Sequence, residues 1–172
     1  AQIMALEAQK LAADKEVERN RNLLKSNAVS RQELEKSEAS AGSFAAQIAA
    51  KQAEAGRRRL ELKYAKITAE LALSKKAKDV CILNLTGLSD VTNYFVICTG
   101  ESDTQVKAIA DAIDDGVKDH DVRVWRKEGY NTLHWVLLDF VDVVVHVFLP
   151  RVREYYDIER LWGDAPMERV TD

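Results

Sequence analysis

Three groups of residues in this chain have types and spacings from which sites can be built. His146 lies inside the apolar run VVVHVF, Asp139 and Asp142 stand three positions apart just before it, and TGESD (residues 99–103) separates an apolar run from a helical pattern. Read as chemistry, these are a proton carrier, a carboxylate pair and a phosphate-binding helix start. Each also has a plainer account. A lone His in an apolar strand is ordinarily a hydrogen-bonded structural residue. Carboxylates three apart on a strand face opposite ways, and across a turn they are simply solvated. TGESD lacks the glycines and lysine of a phosphate loop, and its Ser102 or Asp103 suits a helix N-cap. The three His and two Cys show no metal-ligand spacing. Cys81 and Cys98 sit in apolar runs, as buried free thiols of a reducing compartment do. The expectation is no catalytic residue, no metal, no cofactor and no enzyme.

What remains is recognition. LHWVLLDF (133–140) and DVVVHVFL (142–149) lie so close together that they must pair as a hairpin around Phe140–Asp142. Alternation puts His134, Val136, Leu138 and Phe140 on one face, with Trp135, Leu137 and Asp139 on the other. A face with both Trp and an acid suits an interface, where Trp is a frequent anchor. A buried core Trp is the competing reading, and the residues alone leave both open. Tyr155 and Tyr156 point about 100° apart on the helix that follows, so one can pack while the other faces outward. Trp162 fits a core position that closes this helix onto the sheet.

The elements needed to hold these residues read clearly from residue 71 onward. Leu71 to Lys78 continues a helix, and DVCILNLTG and NYFVICTG are strands ending at Gly87 and Gly100. The helix TQVKAIADAIDDGVKDH carries the stripe Val106, Ile109, Ala110, Ile113 and Val117. VRVW reads as a short strand. Pro150 suits the first turn of the helix RVREYYDIERLW, which Gly163 stops. About five strands and three helices make a mixed sheet with helices on it.

The first part of the chain differs. Residues 1–74 carry 13 Lys and Arg against 10 Asp and Glu, and only two aromatics, Phe44 and Tyr64; residues 75–172 carry 12 against 18, with all three Trp and both Pro. Only the second part has the apolar content for a conventional core. Its acidity argues against direct nucleic-acid recognition and favours a basic protein partner. From Ile3 to Lys25 neither Gly nor Pro interrupts a helix-forming run. After KSNAVS, Ser30 and Glu33 form a capping box flanked by the staple pair Val29 and Leu34. Leu34, Ala41, Ile48, Ala55 and Leu62 recur every seven residues, with Phe44 on the same stripe, as a coiled-coil seam. The simplest partner is Ile3–Lys25 folded back antiparallel. No apolar run reaches the roughly 18 residues of a membrane span, and no signal peptide is evident. The chain opens on Ala1 rather than Met, which implies a segment upstream. The fold class expected is α+β: an N-terminal antiparallel helical hairpin over residues 1–69, then a mixed-sheet α/β domain over residues 70–172.

Two resemblances sharpen this. The tip RNRNLLKSNAVSRQEL resembles the α-hairpin of periplasmic adaptor (membrane fusion) proteins, whose R-x3-L-x6-S pattern contacts a TolC-like outer-membrane channel; Arg19, Leu23 and Ser30 match it. The return arm RLELKYAKITA is similar to the adaptor segment leading back to the lipoyl domain. LTGLSDVTNYFVICTGESDTQVKAIAD, Glu128–Gly129 and WVLLDFVDVVVHVFLPRVREYYDIERLWGDA resemble the ribosomal silencing factor (Iojap) family. That resemblance implies a nucleotidyltransferase-like fold without transferase activity, frequent homodimers and a cytoplasmic location. It also implies binding to large-subunit ribosomal protein number fourteen, blocking subunit joining. Contact residues carried over are Trp135, Asp139, Tyr156 and Leu161, with Trp162 matching the closing LW. The family usually reads Gly-Asp where this chain has Val141–Asp142, so a strained hairpin or another turn type is expected. The two families work in different compartments. The pairing therefore predicts a chimera, with the second helix of the hairpin running straight into the domain's first helix across the Gly- and Pro-free stretch between Gly56 and Gly87.

Overall fold

The computed structural model describes residues 2–171. Helix α1 covers Gln2–Lys25 and α2 covers Arg31–Ser74 as one continuous element. The turn between them passes through Asn27 at φ 53°, a conformation that Asn tolerates better than most residues. The capping box forms as its spacing predicts. The Glu33 amide donates to Ser30 Oγ at 3.2 Å, and the Ser30 amide donates to Glu33 Oε2 at 2.8 Å. The bond from the Ser30 amide foremost, and then that from the Ser30 hydroxyl, which donates to Glu33 Oε2 at 3.0 Å, hold the Glu33 carboxyl below its ordinary range.

The chain divides into two compact units, Ala1–Arg58 and Arg59–Asp172. In the first, α1 and α2 run antiparallel: Gln2 and Ile3 lie beside residues 51–58, while Asp14 and Arg21 lie beside Glu38 and Ala41. Ala13, Ala41 and Ile48 are buried. The seven-residue seam is shorter than its spacing predicts. Ala55, which lies beside Gln2 and Ile3 at the start of α1, is exposed. Leu62 packs instead into the core of the second unit.

The second unit is a six-stranded mixed sheet in the order β3-β4-β5-β2-β1-β6. Its strands are β1 Lys78–Asn84, β2 Tyr94–Thr99, β3 Arg126–Glu128, β4 Trp135–Asp139, β5 Val143–Phe148 and β6 Met167–Arg169. β2 and β5 pair in parallel and every other neighbour pair is antiparallel. Helix α3, Asp103–Gly116, buries Val106, Ile109, Ala110 and Ile113, the stripe its sequence displays. These residues meet Ala65, Ala69 and Ala72 of α2 and one face of the sheet. Small residues on α2 leave room for the larger side chains of the strands. The other face carries a smaller cluster of Cys81, Leu83, Leu85, Ile97 and Phe148, packed against Val152, Ile158 and Trp162.

Four elements differ from expectation. The helix read through to Lys78 ends at Ser74, and Lys78 instead opens β1. VRVW is not a strand; Val122 and Val124 pack on the core from a loop, and β3 lies just after them in Arg126–Glu128. That strand and β6 are three-residue, fully exposed sheet edges, so neither carries an apolar period to be read. The last helix is broken. α4 covers Pro150–Tyr156, Asp157 takes φ 43°, and α5 covers Ile158–Leu161, ending two residues before Gly163. The glycine at Gly129 answers a steric demand: φ is 83°, and a Cβ there would collide with the Trp135 carbonyl oxygen.

Candidate functional site

The β4–β5 hairpin sets out the recognition residues. Its register places Trp135 opposite Phe148, Leu137 opposite His146 and Asp139 opposite Val144. Val136 and Leu138 face the larger core and are buried, whereas Trp135, Leu137 and Asp139 share the other face and are half-buried. Leu149 donates its amide to the His134 carbonyl at 2.9 Å, which ties the start of α4 to the start of β4. α4 then carries Tyr156 back over Trp135, with ring centroids 4.9 Å apart. Trp135 also stacks on Phe148 at 4.9 Å and 28°, and its indole Nε1–H donates to His146 Nδ1 at 3.2 Å. Tyr156 remains 52 % exposed and packs edge-on against Tyr155, itself strongly exposed. Leu161, at the end of α5, is 78 % exposed.

Trp135 and Tyr156 therefore touch, and Leu161 stands on the adjoining α5. Asp139 is at the far end of β4, roughly 13 Å along the strand from Trp135. Its Oδ1 accepts the Val141 amide at 2.7 Å, and its carbonyl accepts the Trp125 amide at 2.8 Å. No basic side chain among the described residues pairs with it.

Arg153 is a supporting residue that sequence reasoning did not single out. Its guanidinium pairs with Glu159 at 2.6 Å and donates to Thr99 Oγ1 at 2.8 Å. It thereby joins α4, α5 and the end of β2, and fixes the segment that presents Tyr156 and Leu161. The sequence marks His146 as structural; its role as acceptor for Trp135 depends on strand register, which the sequence does not display. Burial lowers His146 to about 4, so it is neutral at ordinary pH. Burial pushes the free thiols of Cys81 and Cys98 up to about 11 and about 12, which makes both poor nucleophiles. Ser102 caps α3, its Oγ accepting the Gln105 amide at 3.3 Å. Asp142 accepts a side-chain amide bond from Asn93 at 3.4 Å. Among the described residues, no three His, Cys, Asp or Glu side chains are grouped to hold a metal ion.

At the hairpin tip, Arg19 is exposed and Leu23, one turn further along α1, is half-buried. Ser30 is exposed and serves as the cap of α2. No helix among the described residues is long and apolar enough to cross a membrane.

Two family models match the chain. Residues 59–172 match "ribosomal silencing factor during starvation", and residues 1–65 match the alpha-helical hairpin domain of RND membrane fusion proteins. Over 102 residues the chain is 47% identical to ribosomal silencing factor RsfS of Bacillus subtilis (strain 168), covering 59% of this chain and 86% of that protein. It is likewise 47% identical over 92 residues to RsfS of Halalkalibacterium halodurans, covering 54% of this chain and 79% of that one. A crystal structure of a Chromobacterium violaceum protein, 40% identical, superposes with a TM-score of 0.58 and covers 59% of this chain and 85% of that one.

Proposed function

The chain belongs to the ribosomal silencing factor family, and from that premise we propose that residues 70–172 silence ribosomes by occupying the large subunit's joining surface. The partner is ribosomal protein number fourteen, a basic protein at the subunit interface. The bound domain obstructs the small subunit sterically and so represses translation in the cytoplasm. No bond is made or broken, so no catalytic group or cofactor is required. Trp135, Asp139, Tyr156 and Leu161 make the contact. The observation that carries this reading is the ledge where the half-exposed Tyr156 ring lies on Trp135, with the exposed Leu161 following on α5. Aromatic anchors, with the acid Asp139 at the far end of the same strand face, suit a basic protein surface.

Sedimentation of the full chain with purified bacterial large subunits tests the reading. Tyr156→Ala and Leu161→Asp alter exposed side chains and leave the core intact. Each is expected to weaken co-sedimentation about tenfold or more, the scale of an interface anchor, and to restore subunit joining. If both variants bind like the native chain, the proposed surface is wrong.

The match of residues 1–65 to an adaptor hairpin favours a second reading for the module of residues 1–69. In it the tip residues Arg19, Leu23 and Ser30 dock onto a TolC-like channel. That hairpin's parent family is periplasmic, so the two modules serve different compartments, as a chimera would. Capture of the chain by a purified channel of this class, lost in Arg19→Ala, is the expected result; capture unchanged by Arg19→Ala counts against it.

A further inference from the structure

We propose that His146 is the positioning residue of the contact surface: it fixes the indole of Trp135 through the bond from Nε1–H to its own Nδ1, so that Trp135 and Tyr156 present one rigid aromatic ledge to the partner. The biological consequence rests on the reading above, while the positioning itself stands on geometry.

An indole has a single polar atom, a donor, and in a half-buried ring that donor needs an acceptor. His146 supplies it at 3.2 Å. The acceptor is itself immobile. His146 is 4 % exposed, lies on β5 between β4 and β2, and is opposite Leu137. Phe95 packs against the imidazole edge-on at 4.6 Å and 80°, and Phe148 lies parallel to it at 6.0 Å. Phe148 also stacks on Trp135. The imidazole is thus wedged among Phe95, Phe148 and Trp135.

The bond also fixes the tautomer. A neutral imidazole that accepts at Nδ1 carries its proton on Nε2, and among the described residues Nε2 has no hydrogen-bond partner. Burying a polar ring costs free energy unless it is hydrogen-bonded. Here the compensating bond is the one to Trp135, so the use of this His in an otherwise apolar strand lies with that neighbour. Stacking on Phe148 and contact with Tyr156 hold the indole plane loosely, because stacking tolerates rotation within the plane. The hydrogen bond adds the direction. A ring held in its bound orientation spares ordering cost on association.

Long-range proton–nitrogen NMR on the full chain tests the geometry without mutation. The expected result is an Nε2–H tautomer for His146 and a single, slowly exchanging Trp135 indole resonance. His146→Leu then removes the acceptor, while His146→Asn keeps an oxygen near the Nδ1 position. His146→Leu is expected to broaden or split the indole resonance and to weaken binding to purified bacterial large subunits about three- to tenfold, the scale of one hydrogen bond. His146→Asn should restore both. If His146→Leu does not fold, the native tautomer and His146→Asn still decide. An Nδ1–H tautomer in the native chain overturns the proposal. So does His146→Leu with a native indole resonance, or His146→Asn without restored indole order. Should Trp135→Ala bind large subunits normally, the parent reading fails, and the tautomer and indole resonance decide the positioning alone.

Discussion

Packed between Phe95 and Phe148, the imidazole of His146 ionises only near pH 4, because burial disfavours its charged form. In an unfolded chain the same ring ionises near pH 6.5. Between those values the unfolded chain binds a proton that the folded chain does not. The contribution of this residue to stability is therefore complete above about pH 6.5 and is lost as pH falls toward about 4. The full loss is bounded by about 3 kcal/mol. Denaturant unfolding at pH 7.5 and pH 4.5 measures it. The native chain should lose more stability than His146→Asn across that interval, and equal losses would show that the ring is not shielded. The thiols follow the same physics with the opposite sign. Burial raises Cys81 and Cys98, so neither changes charge in this range.

The β4–β5 hairpin turns through Val141 at φ 75°. The Asp142 amide donates to the Phe140 carbonyl at 3.0 Å, closing a three-residue turn, and the Asp139 carboxylate accepts the Val141 amide. A positive φ is a steric outlier for a β-branched residue, and a turn centred on such a φ is the rare form of its class. Val141 is exposed, so its side chain gives little back in packing. Val141→Gly should therefore stabilise the chain by about 1 kcal/mol, strain relief outweighing the added freedom of the unfolded chain. The measurement is the denaturation midpoint, and a lower midpoint would mean that Val141 is not strained. The expectation of a strained hairpin, or of another turn type, came from the family resemblance, in which glycine usually stands where this chain has Val141. Elements whose side chains have one dominant surroundings were equally legible: α3 by its apolar stripe, β5 by its apolar run, the start of α2 by Ser30 and Glu33. The edges β3 and β6 were not, since Arg126–Glu128 and Met167–Arg169 bury nothing. The break at Asp157 was hidden as well, because the residues around it suit a helix and the bonds of Arg153 to Glu159 and Thr99, which tie α4 to α5 and β2, are tertiary. At the site, alternation gave the face shared by Trp135 and Asp139. The bond to His146 and the stack on Phe148 depended on pairing register, which no single strand specifies.

For the molecule as a whole, charge sets how a partner is approached. Residues 75–172 carry 18 acidic against 12 basic side chains, whereas residues 1–74 carry 10 against 13. An acidic domain is repelled by the phosphates that cover most of a large subunit and attracted to a basic protein exposed among them. That contrast serves discrimination and encounter rate more than final affinity. Affinity should instead reside in the apolar ledge of Trp135, Tyr156 and Leu161, which leaves water only after docking. The two contributions separate kinetically. With the full chain immobilised and isolated ribosomal protein number fourteen flowing over it, raising salt from about 0.05 to about 0.5 M shortens the screening length from roughly 14 to 4 Å. Association should slow several-fold while dissociation stays nearly constant. Leu161→Ala should do the reverse, speeding dissociation with association unchanged, because most contact energy appears in the off-rate. Association that ignores salt would mean that the acidic surplus does not steer the proposed partner, and a Leu161→Ala variant that slows association instead would place Leu161 outside the docked interface.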